Sequence, residues 1–112
     1  MPRTELLNEH GSVVLSAAGA GTVTLTPNRL ETWVVTRMAV TVTSNSSEPV
    51  ARVYLYAAAP GNLLDGTYTG SLDSSDTNQQ VMPGVPLICV WSGGDAGATA
   101  TFSVFGQKVY PA

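Results

Sequence analysis

One cysteine and one histidine occur in 112 residues, and Asp, Glu, Lys and Arg together make up only 12%. Each scarcity excludes something. A lone Cys89 cannot close an internal disulfide, so the fold has to stand on packing. Its place in the run Pro86-Leu87-Ile88-Cys89-Val90-Trp91 predicts a buried thiol acting as a small hydrophobe. One Cys with one His cannot supply the four ligands of a usual zinc site. His10 sits among the first ten residues, away from the rigid scaffold that a nucleophile and its base require. The net charge is −3, and Arg3, Arg29, Arg37, Arg52 and Lys108 lie far apart in the chain. That excludes nucleic acid as the expected partner, because affinity for polyphosphate comes from clustered cations. No segment reaches the ~20 apolar residues that span a bilayer. Met1 to His10 carries acids where a secretory signal holds its apolar core, so the sequence predicts a chain made in the cytoplasm with no membrane partner. Gly19-Ala20-Gly21 lacks the helix that a nucleotide-binding glycine motif precedes. The expectation is a protein that is not an enzyme and has no metal or cofactor.

What remains is rich in Thr, Val and aromatics, with Gly, Pro, Asn or Asp at nearly every gap. Residues 1–10 lack a helical period and read as an N-terminal arm whose deletion would weaken assembly but leave the domain folded. Residues 11–112 read as one all-β domain, a size at which roughly two thirds of the unfolded surface is buried. A short strand is predicted at Ser12 to Ser16, and a second at Thr22 to Thr26 with Val23 and Leu25 inward. Glu31 to Ser44 is the longest candidate. Its inward set changes phase, from Trp33 and Val35 to Met38, Val40 and Val42, which predicts a bulge near Thr36-Arg37 of the kind found where a strand changes sheets. Val50 to Ala58 would turn Ala51, Val53, Leu55 and Ala57 to the core and Arg52, Tyr54 and Tyr56 outward. Thr67 to Leu72 follows with Tyr68 and Leu72 inward, then a polar loop, then a brief strand at Gln79 to Met82. Leu87 to Ser92 is apolar on both faces and reads as a strand covered on both sides. Ala98 to Phe105 and an edge segment at Lys108 to Tyr110 close the chain. Eight strands at this spacing predict an eight-stranded antiparallel β-sandwich, jelly-roll-like, with Trp33 and Trp91 anchoring the core.

Three groups of residues are candidate sites. Asp65, Asp73, Asp76 and Asn78 could converge on calcium, but they match no EF-hand spacing, and short polar side chains of this kind also stabilise turns by bonding their own backbone. The same carboxylates are a weak candidate for an inverting glycosidase pair. Tyr54, Tyr56 and Tyr110 could form an aromatic stripe for cross-strand packing, for another subunit or for a sugar ring. With Leu6 and Leu7 of the arm, these three tyrosines are the expected interface residues. A nearly uncharged strand such as Trp33 to Thr43, without Lys or Pro gatekeepers, is a hazard if its edge is open. Covering such edges favours a homo-oligomer, a trimer by preference, over a free monomer.

Three pieces carry a family resemblance. They are Gly21-Thr22-Val23-Thr24-Leu25 followed by a strand led by Trp33, then Asp65-Gly66-Thr67-Tyr68-Thr69-Gly70-Ser71-Leu72-Asp73, then the stretch from Val90-Trp91-Ser92-Gly93-Gly94-Asp95 to Ala100. In combination they resemble small structural proteins of tailed bacteriophages of actinobacteria, over Gly21 to Tyr110. The resemblance implies a virion component, a capsid decoration, minor capsid or minor tail protein, whose partners are its own copies and other virion proteins. It brings no catalytic motif. The alternative from another class is a carbohydrate-binding module that aids host attachment through Tyr54, Tyr56 or the Asp65 to Asn78 loops.

Overall fold

The computed structural model describes residues 3–43, 48–70 and 72–111, apart from the side chains of Asp65 and Gly66. Its strands pair as a long hairpin rolled on itself. β1 (Arg3–Val14) pairs with β8 (Thr99–Tyr110), and β2 (Gly21–Leu25) with β7 (Leu87–Ser92). β3 (Thr32–Val42) pairs with β6 (Leu72–Val81), and β4 (Val50–Leu55) with β5 (Leu63–Thr69). Every pairing is antiparallel. Further ladders join β3 to β8 and β4 to β7, giving two four-stranded sheets in the orders β1-β8-β3-β6 and β2-β7-β4-β5. This nesting is a jelly roll, the sandwich expected from the sequence.

Period-two alternation fills the space between the sheets. β3 contributes Trp33, Val35, Met38, Val40 and Val42, β8 contributes Ala100, Phe102 and Val104, and β7 contributes Leu87, Cys89 and Trp91, all buried. The phase change on β3 is a bulge. Val35 faces Gly106 while Arg37 faces Phe105, so Thr36 is an extra residue against β8. The bulge needs a glycine opposite it. A Cβ on Gly106 would run into the Val34 carbonyl oxygen and come within 3.0 Å of the Thr36 nitrogen. β3 does not change sheets there, since it keeps β8 and β6 as neighbours on both sides of the bulge. At the opposite end Gly19, at φ +73°, lets the β1–β2 turn dock on the β7–β8 loop, where the Gly94 N–H donates to the Gly19 carbonyl at 3.0 Å.

Several expectations are corrected. Residues 3–10 are no arm. They are the first two thirds of β1, in register with β8 from Arg3 opposite Tyr110 onward, and Leu7 is fully buried. The polar stretch after Leu72 is no loop but most of β6, and Leu72 itself is 74% exposed. β6 lies at the edge of its sheet, where polar side chains that bond locally suffice. Its inward Ser75 shares a 2.6 Å hydrogen bond with the hydroxyl of buried Tyr68 on β5, tying the two sheets together. β7 is covered on one face only, as Ile88 and Val90 remain half-exposed. Lys108 to Tyr110 is no edge segment but the end of β8, held between β1 and β3.

Candidate functional site

The densest polar chemistry gathers where the inner face of the β1-β8-β3-β6 sheet meets the β2–β3 loop. Glu31, one residue before β3 and on the same face as Trp33, is only 5% exposed. Four donors surround its carboxylate. Oε1 accepts from the Trp33 indole at 3.1 Å and from the Asn28 backbone N–H at 3.4 Å. Oε2 accepts from Asn28 Nδ2 at 3.2 Å and from the Tyr110 hydroxyl at 2.9 Å, with Lys108 Nζ 3.9 Å away. Lys108 donates to Glu9 at 2.8 Å. The Tyr110 hydroxyl also lies 3.1 Å from Glu5, and its single hydrogen serves two carboxylates. Arg3 completes the group, with its guanidinium 4.3 Å above the Tyr110 ring and Nε 3.6 Å from Glu5.

The electrostatics follow from this geometry. Burial pushes the Glu31 carboxyl up, but the bonds from Trp33, Tyr110 and Asn28 and the charge of Lys108 outweigh it and hold the group below its usual value. The bond to Glu9 holds Lys108 above its ordinary value against the opposing effect of burial. The bond to Glu31, with burial and Glu5, raises the Tyr110 phenol. A carboxylate kept ionised and saturated with donors is a clamp. It fastens the loop from Pro27 to Glu31 onto the end of β8. Beside it lie two shallow grooves of about 300 and 470 Å³ that share Arg29, Leu30 and Tyr110, the first also lined by Met82, Pro83 and Val109.

The residues singled out in the sequence do not converge. Asp73 sits opposite inward Val40, whereas Asp76 sits opposite outward Arg37 and pairs with it at 3.4 Å, so the two acids point to opposite faces of β6. Asp73 instead accepts from the backbone N–H groups of Thr69 and Ser74 and shapes the β5–β6 turn. Asn78 is exposed, and the Asp65 side chain lies outside the described residues. Among the described residues no three His, Cys, Asp or Glu side chains are placed to hold a metal. Of the expected interface residues, Leu6 is 80% exposed on the outer face of β1, and its neighbour Leu7 belongs to the core. Tyr54 lies on the outer face of the β2-β7-β4-β5 sheet, in a row with Ile88 and Leu63. Tyr56 follows β4, 70% exposed and at φ +78°, a conformation a bulky side chain rarely adopts. Tyr110 is on the other sheet, in the Glu31 network, so the three tyrosines form no single stripe. His10 is exposed on β1, and burial pushes the Cys89 thiol up, leaving it an inert core residue.

The Glu31 network was not foreseen, although one signal for it exists in the sequence. Two residues before an inward tryptophan, a glutamate shares the tryptophan's face and must find donors there. No known family matches the chain, and no curated protein matches it either. No helix among the described residues is long and apolar enough to cross a membrane.

Proposed function

We propose that this chain is a non-enzymatic structural subunit of a tailed-phage virion, a decoration, minor capsid or minor tail protein that associates with its own copies and with neighbouring virion proteins. The observation that carries the reading is a jelly roll whose outer sheet faces are nearly free of charge. Jelly rolls serve as stackable blocks in viral capsids, an argument from fold that the resemblance of Gly21 to Tyr110 to phage structural proteins reinforces. The function is adhesive: neutral Thr-, Ser- and Val-bearing faces and exposed side chains such as Leu6 meet a neighbour with little desolvation of charge. Nucleic acid is not the partner, since the five basic residues make no patch: Arg3, Arg37 and Lys108 each face an acid.

The test is mass spectrometry of gradient-purified particles against the soluble lysate. The protein is expected in the particle fraction at a fixed ratio to the major capsid protein, and its recovery only in the soluble fraction refutes the reading. A second reading, a carbohydrate-binding module, is favoured by one observation, the exposed Tyr56 held at positive φ. Glycan-array binding that Tyr56→Ala abolishes would support that module, and a blank array removes it.

A further inference from the structure

We propose that the outer face of the β1-β8-β3-β6 sheet is a self-association surface on which a second copy of this chain packs face to face across a two-fold axis. The inference deepens the structural-subunit reading and rests on it, by naming the surface through which copies meet.

Three observations point to this face and to this occupant. The first is charge. Outward side chains on the four strands include the acid Asp76 and the base Arg37, which neutralise each other 3.4 Å apart near the β6 edge, and the imidazole of His10 opposite Ser103. Two copies brought together on a two-fold axis always oppose identical surfaces, so a face of one net sign repels itself. This one carries no net charge at pH 7 with histidine counted as neutral. The outer face of the β2-β7-β4-β5 sheet carries Arg52, which has no ion pair among the described residues, and a two-fold there would bring two like charges together.

The second is area. Strands of 10 to 12 residues at about 3.3 Å per residue and about 4.8 Å spacing make a face of roughly 650 Å² before side-chain relief is counted. A stable interface of standard size takes about 800 Å² from each partner. The third is composition and relief. Along the middle strands, Val34, Phe105, Ala39 and Ser103 put small and apolar groups at the centre, while exposed Leu6 and Leu72 stand at the rims. Sheets packed through such faces lie within about 30° of alignment, as the two sheets of one sandwich do. A two-fold face builds even-numbered assemblies, in place of the trimer expected from the sequence.

Sedimentation equilibrium of the full chain across a concentration series tests this, with Ser103→Lys at the face centre and Thr22→Lys on the opposite sheet as control. The expected result is a species of twice the 11.6 kDa of one chain. Ser103→Lys should weaken it by about 100-fold or more, because two lysines then face each other, and Thr22→Lys should leave it unchanged. Circular dichroism establishes that the variants fold, and Thr101→Lys, two residues along the same strand face, replaces Ser103→Lys if that variant does not. A monomer at every concentration, a trimer, or a dimer indifferent to the face-centre lysine overturns the inference. The chain's presence in purified particles is measured separately, so a monomer found in virions removes this surface and leaves the structural-subunit reading standing.

Discussion

Adjacent leucines in β1 give the sharpest test of the fold. Leu7 is fully buried and Leu6 is 80% exposed on the opposite face. Leu7→Ala removes a core side chain and leaves a cavity, which costs about 2–5 kcal/mol, whereas truncation of an exposed side chain stays within about 0.5 kcal/mol. For a domain of this size each kcal/mol moves the midpoint of thermal unfolding by about 4 °C. Leu7→Ala should therefore melt about 8–20 °C below the wild type while Leu6→Ala melts beside it. Urea unfolding followed by the fluorescence of Trp33 and Trp91 reads the same difference as a lower midpoint at unchanged slope. Were residues 3–10 a tether outside the domain, both variants would match the wild type. Equal stabilities of Leu6→Ala and Leu7→Ala would refute the packing described here. For the same reason, deletion of residues 1–10 should unfold the domain, since it strips Leu7, the Glu9–Lys108 pair and most of the β1–β8 ladder.

Three further predictions follow from the bulge and the Glu31 network. Gly106→Ala should cost more than about 3 kcal/mol, because its methyl meets the backbone of Val34, while Gly61→Ala, with open space around it, should be near neutral; similar unfolding midpoints for the two would contradict the bulge geometry. Trp33→Phe takes a donor from the Glu31 carboxylate, whereas the buried Trp91 indole has no partner to lose among the described residues. Trp33→Phe should therefore be the more destabilising by about 1 kcal/mol or more, and a larger loss for Trp91→Phe in urea titrations would count against the clamp. Glu31→Gln should cost about 1.5–3 kcal/mol at pH 7. Because the folded-state carboxyl is held below its unfolded value of about 4.3, the charged form's contribution is complete above that pH and is lost as pH falls through the folded value. The gap between wild type and Glu31→Gln should thus close on acidification, and a gap equally wide at pH 3 would show that the carboxylate's charge is not what holds the loop.

Much of the interior was legible because hydrophobic alternation and burial coincide on central strands. β3 shows this best: its two inward sets, Trp33 with Val35 and Met38 with Val40 and Val42, encode both the strand and its bulge. β7 ran from Leu87 to Ser92 as read. The periphery was hidden for physical reasons. β6 is an edge strand whose inward positions include Asp73, Ser75, Thr77 and Gln79, satisfied by local hydrogen bonds such as that to Tyr68, so no apolar period marks it. β1 buries Leu7 but turns charged Arg3, Glu5 and Glu9 to the same face, where Lys108, Tyr110 and Glu31 answer them across the sheet. Those partners lie up to 105 residues away in the chain, and only the rolled topology brings them together. The same cause kept the Glu31 cluster out of reach, and it put Tyr110 on the sheet opposite Tyr54.

Image reconstruction of purified particles is the decisive measurement of the proposed structural role. Jelly-roll density should occupy symmetry-related positions on the capsid or tail, with copies in contact through their β1-β8-β3-β6 sheets. Density for this chain absent from every symmetric site, with the protein recovered only as free monomers in the lysate, would contradict it.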